Sequence, residues 1–248
     1  MSIPIYLAAF PEEAVGTPDY PAARLGCRLS QDTPALLAPD PPDDPASLMV
    51  LRDETPPAYE PTPALARMLA TYAQNYHAGL VCDWRKPVVP FYDTLAVLLD
   101  EVCAGLGLPL WLTDCYAGAS QGARVMIGSG ITEGRFAQQL ANAASRWPGR
   151  CVLSLLPLRI RCVLSAAGGT PEMEALPEIP TDTPAFFSKD LCCMYFSRPA
   201  GESVAFTLYD TGETIGRKLQ AAEDAGFQAA IGPFSELAAL RVPAEPAV

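Results

Sequence analysis

AGLVCDWRKPVVPFYDTLAVLLDEVCAGLGLPLWLTD, residues 78 to 114, carries a strand, a helix and a second strand in one unbroken reading. Gly79–Asp83 is an apolar run too short for a helix and ended by an acid. Phe91, Leu95, Leu98, Leu99, Val102 and Leu106 then recur at helical spacing, so one face of that segment is apolar and must pack on something. Gly107 and Pro109 supply the stop, and residues 110–114 form the next short apolar run. Strand, helix and strand in this order are the signature of a parallel βα unit.

The alternation extends in both directions. Further strands are predicted over residues 3–10, Leu48–Arg52, Arg124–Gly128, 151–155, 192–196 and 228–234, with Ser203–Tyr209 as an extra. Helices are predicted over Pro63–Tyr76, 134–147 and 214–225. Eight or nine strands alternating with helices fit an α/β fold of the TIM-type (β/α)8 barrel kind, a single domain over residues 1–248. The barrel is expected to be irregular or abbreviated. PDPPDDP and ETPPAYEPTP, between residues 33 and 63, cannot continue a helix or a central strand and read as long loops. A second polar stretch, residues 168–184, reads as an excursion from the core. The rival, a doubly wound open sheet, predicts a Gly-rich phosphate loop after the first strand, and PEEAVG is not one. Only Gly128-Ser129-Gly130 has a phosphate-cradling composition.

Composition narrows the function classes. With 17 basic against 28 acidic residues the net charge is −11, and no basic patch offsets the repulsion of a nucleic-acid backbone. No apolar run reaches the roughly 20 residues that cross a bilayer. The first ten residues carry no basic leader and run into Pro11, Glu12 and Glu13, so a cytoplasmic protein is expected. Of the eight cysteines, Cys82, Cys103, Cys115, Cys151 and Cys162 sit in apolar stretches, as free thiols do, which fits a reducing compartment. There is no CxxC pair, Cys192 and Cys193 point to opposite faces of a strand, and His77 is the only histidine. Neither a metal site nor a cofactor is expected.

In a parallel barrel, chemistry sits where the strands end. One run ends in Arg52-Asp53-Glu54, the next in Asp83-Trp84-Arg85-Lys86, and the next in Asp114-Cys115-Tyr116. Asp53, Asp83 and Asp114 are the candidate catalytic carboxylates, and Asp83, Trp84, Arg85, Asp114 and Tyr116 the candidate ligand-binding set. Charges that follow fully apolar runs lie near low dielectric and tend to pair, so Arg85 is expected against Asp83 or Asp114. Trp84 offers a flat face on which a sugar ring can stack. The plainer alternatives are that Asp53 and Asp114 start turns or cap helices, and that an ion pair of Asp83 with Arg85 or Lys86 stiffens its loop.

AGLVCDWRKP resembles the fourth-strand motif of the chitinase-like family-eighteen glycoside hydrolases, DGLDIDWE. Gly79, Leu80, Asp83 and Trp84 match without a gap, Ala78 and Val81 replace two aspartates, and Arg85 stands at the glutamate. YDTGETIGRKLQAAEDAGFQAAIGPF, residues 209–234, is similar to the family's last unit, with Pro233-Phe234 where a tryptophan is usual. The Met-x-Tyr pattern is absent, Met126 being followed by Ile127 and Gly128. The resemblance implies a barrel in which a glutamic acid protonates the glycosidic oxygen while an aspartate steadies the substrate's acetamido group. A guanidinium cannot perform that proton transfer.

Three readings follow. The chain is a catalytically degenerate barrel that binds a glycan or an anionic small molecule, Arg85 holding a carboxylate or phosphate with two parallel bonds. It is a hydrolase with a relocated acid and base, drawn from Asp53, Asp83 and Asp114 with Glu54. Or it is a scaffold for protein contacts made by its proline-rich loops, which predicts a plugged barrel mouth.

Overall fold

The computed structural model describes residues 3–13, 20–42, 44–52, 55–86, 89–165, 172–175 and 184–240. Eight parallel strands close into a barrel: β1 (Ile5–Ala9), β2 (Ala22–Leu29), β4 (Leu48–Arg52), β5 (Gly79–Asp83), β6 (Leu110–Thr113), β7 (Arg124–Gly128), β8 (Cys151–Ser154) and β14 (Ala229–Pro233). β1 pairs with β14 on one side and with β2 on the other, which closes the ring. The two-residue β3 (Leu36–Leu37) lies antiparallel on β2. A second sheet of five antiparallel strands follows β8 in sequence: β9 (Arg159–Ser165), β10 (Glu172–Ala175), β11 (Phe186–Ser188), β12 (Cys193–Ala200) and β13 (Ser203–Tyr209), in the order β10-β9-β13-β12-β11.

The helices are α1 (Pro63–Tyr76), α2 (Pro90–Leu106), α3 (Phe136–Arg146), α4 (Gly212–Asp224) and α5 (Phe234–Ala239). Their ends follow local chemistry. Thr62 caps α1 by accepting from the Leu65 amide at 3.2 Å, with Pro63 pre-set for the first turn. Gly107, at φ 65°, ends α2 in the left-handed conformation that a side chain disfavours. Thr211 and Thr214 cap α4 reciprocally. The barrel is abbreviated as expected: among the described residues no helix follows β1 or β2, and only a 3-10 turn (Ala117–Ala119) follows β6. No helix among them is long and apolar enough to cross a membrane.

Two apolar layers result. Inside the barrel lie Ala23, Leu25, Leu48, Val50, Val81, Trp111, Met126, Val152, Ala229 and Ile231. Small residues on β2 and β14 leave room for Trp111, 1% exposed, whose ring meets Tyr6 edge-on at 5.1 Å and Arg124 at 5.5 Å. Outside, the apolar stripes of α1, α2 and α3 cover the opposite faces of the same strands.

Residues 192–196 are not a barrel strand. Cys193–Ala200 belongs to the inserted sheet, as does Ser203–Tyr209, and the eighth barrel strand is Ala22–Leu29 instead. The excursion expected over 168–184 therefore begins at Arg159 and ends at Tyr209. Cys192 sits in the preceding turn at φ 53°, and only Cys193 is in the strand. The Gly128-Ser129-Gly130 stretch is packing. Ser129 is fully buried, its hydroxyl accepts from the Leu156 amide at 2.9 Å, and a Cβ on Gly130 would stand 3.0 Å from the Leu156 carbonyl oxygen. Cys115 is exposed and not in an apolar environment, because it lies in the turn beyond β6.

The insertion is tied to the barrel by a buried ion pair. Lys218 of α4 and Asp210, both 0% exposed, meet at 2.7 Å. Asp210 also accepts from the Leu158 amide (2.8 Å) and the Thr214 hydroxyl (2.8 Å), while its own amide donates to the Leu158 carbonyl at 2.9 Å. Entry to and exit from the inserted sheet are thus hydrogen-bonded to each other. Removing one partner leaves a charge uncompensated, so Lys218→Met is expected to lower unfolding stability by about 3–5 kcal/mol. Lys218→Met combined with Asp210→Asn is expected to recover part of that loss. Urea denaturation of both variants checks the ordering.

Candidate functional site

The interior positions of the strands alternate, so the last inward residue of each points into the mouth at their C-terminal ends. β4 and β5 pair with Val50 opposite Val81 and Arg52 opposite Asp83. Because Val50 and Val81 belong to the interior layer, Arg52 and Asp83 stand above them on the same side. A cavity of about 210 Å3 opens there, lined by Arg52, Asp83, Arg85, Glu13, Ser154 and Glu236 over a floor that includes Val50, Val81, Met126 and Ile231.

Asp83 and Arg85 form the centre of the polar part. The Arg85 Nε donates to Asp83 Oδ1 and Nη2 to Oδ2, each at 2.8 Å, so the fork of the guanidinium covers both carboxylate oxygens. Asp83 is mostly buried (15% exposed side chain) and Arg85 half exposed (46%). This is the pairing expected of a charge that follows the apolar GLVC strand. Both carboxylate oxygens are engaged, and Arg85 lines the cavity beside them.

Trp84 and Tyr116 have a different place from the one expected of them. Strand alternation that turns Asp83 inward turns Trp84 outward, toward α2. Trp84 is 1% exposed, stacked on Tyr92 with centroids 4.8 Å apart and met edge-on by Tyr116 at 5.7 Å. No face of its ring is open to a sugar. Tyr116, 2% exposed, holds the loop beyond β5: its hydroxyl donates to the Lys86 carbonyl and accepts from the Val89 amide at 3.1 Å. Thr113 adds a bond from its hydroxyl to the Trp84 carbonyl at 2.5 Å. These residues position the loop that carries Arg85.

Asp114 is exposed and does not line the mouth cavity; it begins the turn in which the Tyr116 amide bonds the Thr113 carbonyl at 3.0 Å. Asp53 and Glu54 lie outside the described residues. In their stead the mouth receives two carboxylates that the strand-end reading did not name. Glu13 follows β1 and accepts from the Phe10 amide at 2.9 Å, and Glu236 lies in the first turn of α5. The available signal was their position just past the first and last strands. Pro233 reaches the cavity and Phe234 is not among its lining residues. Among the described residues no cluster of three or more His, Cys, Asp or Glu side chains has a metal-holding arrangement.

No family model matches the chain, and no curated protein matches it. Among solved structures it is similar to the C-terminal domain of a putative chitinase from Desulfitobacterium hafniense DCB-2, at 10% identity and TM-score 0.59, over 98% of each chain. It is also similar to the spore cortex-lytic enzyme SleL of Bacillus megaterium QM B1551, at 10% identity and TM-score 0.55, over 93% of this chain and 70% of that one. A class V chitinase from Nicotiana tobaccum, solved in complex with NAG4, matches at 10% identity and TM-score 0.54, over 94% of this chain and 93% of that one. The fold is therefore a glycoside-hydrolase-like (β/α)8 barrel, in agreement with the resemblance carried by residues 78–87 and 209–234.

Replacing Tyr116 with Phe removes the two hydrogen bonds that its hydroxyl makes to the loop after β5. The expected outcome is a loss of about 1–3 kcal/mol in stability, with faster hydrogen exchange at the Val89 amide. Denaturation and amide-exchange NMR measure the two effects.

Proposed function

We propose that this protein binds a glycan or an anionic small molecule at the C-terminal face of its barrel and does not hydrolyse sugars by the family-eighteen route. The observation that carries the reading is the Asp83–Arg85 pair inside an open mouth. Arg85 stands at the motif position of the proton-donating glutamate, and it also engages both oxygens of the neighbouring aspartate, which would otherwise orient an acetamido group. Protonated at any physiological pH, the guanidinium offers donors and no exchangeable acid. With Arg52 beside Asp83 in the strand register, two guanidinium groups line the cavity together with Asp83, Glu13 and Glu236, and a guanidinium suits a carboxylate, a phosphate or an acidic sugar. The chitinase and cortex-lytic neighbours, one in complex with NAG4, support a glycan as the occupant. Eight unbridged cysteines support a reducing, cytoplasmic setting.

A relocated acid and base is the second reading, favoured by Glu13 and Glu236 lining the same cavity as Asp83. A carboxyl pair about 5–5.5 Å apart suits a retaining mechanism and one about 6.5–9.5 Å apart an inverting mechanism. The scaffold reading requires a plugged mouth, and a cavity stands there.

Thermal-shift titration with chito-oligosaccharides and a panel of small anions tests the proposal. A ligand at a hundredfold excess over its dissociation constant adds about 2.7 kcal/mol to stability, and Arg85→Ala is expected to abolish the shift given by anions. Absence of any shift across both panels removes the binding reading. Release of reducing ends from chito-oligosaccharides, lost in Glu13→Gln or Glu236→Gln, replaces it with the hydrolase.

A further inference from the structure

A second cavity, of about 230 Å3, lies on the other side of the β2 wall and shares no lining residue with the mouth. It exists because no helix covers β2 among the described residues. The outer face of that strand is roofed by residues 39–42, three of them proline, while Tyr72 and His77 close it from the α1 side. Ala23 and Leu25 of β2 belong to the barrel interior, so Arg24 between them is directed outward, to this cavity.

The polar groups here are few and mostly committed. Tyr72 donates from its hydroxyl to the Pro39 carbonyl at 3.4 Å. His77, buried, meets the Ser47 hydroxyl through Nδ1 at 3.1 Å. Burial, and then the charge of Arg24, hold the imidazole below its ordinary pKa, so the ring is neutral near pH 7 and Arg24 is the cation. Burial pushes the Cys27 thiol up to about 11, leaving it an uncharged part of the wall. Arg24 is the exception to this balance. Its Nε is buried and has no hydrogen-bond partner. A guanidinium N–H cannot be titrated away, and a buried donor without an acceptor is unfavourable.

A guanidinium carries paired parallel donors at the spacing of a carboxylate's oxygens, and Arg24 lines this cavity. Proline rings and the Cys27 thiol form an apolar wall around it. Asp40, exposed at the rim, opposes a second negative charge on any occupant. The geometry points to a binding site for a compact organic monocarboxylate with an apolar body, anchored by Arg24 in the cavity bounded by β2, α1 and residues 39–42.

His77, the only histidine in the chain, gives this cavity its own reporter, because it does not line the mouth. Benzoate is the probe, with benzyl alcohol as the uncharged analogue and inorganic phosphate as the dianion. The expected result is a saturable benzoate-dependent shift of the His77 ring-proton NMR signals of the full chain. Benzyl alcohol and phosphate leave those signals in place, and Arg24→Gln weakens the benzoate response at least about tenfold, by more than 1.4 kcal/mol. Arg24→Lys, which keeps the charge and loses the two-donor edge, is expected to weaken it as well. No saturable shift in the wild-type protein, an equal shift with benzyl alcohol, or undiminished affinity in both variants overturns the proposal. Because the readout is local, none of these results depends on what the mouth binds.

Discussion

The contact between Asp210 and Lys218 is the constraint on which the arrangement of this molecule depends. Between β8 and β14 the chain makes a five-stranded excursion, and a barrel tolerates this only if both ends of the excursion return to nearly the same place. Asp210 enforces that return with a carboxylate shared between the start of β9 and the first turn of α4, and with its own backbone bonded to Leu158. The ammonium of Lys218 completes the set, 5.8 Å from the Phe136 ring of α3. A desolvated charge pair of this kind contributes little net stability compared with an apolar replacement. It does penalise any register in which its members are apart, so it specifies where the inserted sheet begins and ends.

The Asp83–Arg85 pair works in a different dielectric. With Arg85 half exposed and Asp83 mostly buried, it is partly screened by solvent and adds little to stability. At the end of β5 both carboxylate oxygens are covered by the guanidinium of the second residue beyond them. The loop that achieves this is held from beneath by Tyr116 and Thr113, whose bonds to backbone groups would survive substitutions at the mouth itself. The geometry of the loop and the identity of its charged residue are thus separable, which allows the scaffold to persist while its chemistry changes.

Local signals made much of the fold legible. Pro63–Tyr76 was readable to its ends because Thr62 and Pro63 mark its start, and Leu48–Arg52, Gly79–Asp83 and Arg124–Gly128 because fully buried parallel strands are unbroken apolar runs. Ala22–Leu29 escaped because a register shift between Arg24 and Cys27, with Gly26 at φ 105°, breaks its alternation. The 192–196 run was assigned to the wrong sheet because an apolar pentapeptide does not encode its partner. The Gly201-Glu202 turn joining it to Ser203–Tyr209 was the available sign of an antiparallel hairpin. At the site, Asp83 and Arg85 were legible as neighbours at one strand end. Trp84 was misread for want of the period of two, which sends it opposite to Asp83. Glu13 and Glu236 reach the mouth only through the β1–β14 pairing that joins the two ends of the barrel, and no local pattern announces that closure.

Trp111 has a bearing on traffic through the molecule. With its ring across the interior and the Arg124 guanidinium against it, the barrel is a cup with a sealed base. Whatever enters at the mouth must leave by the same opening. A chain-like molecule can lie across the rim or dip one residue into it, but it cannot thread through. A long polymer and its short fragments would therefore meet the same few groups at the rim.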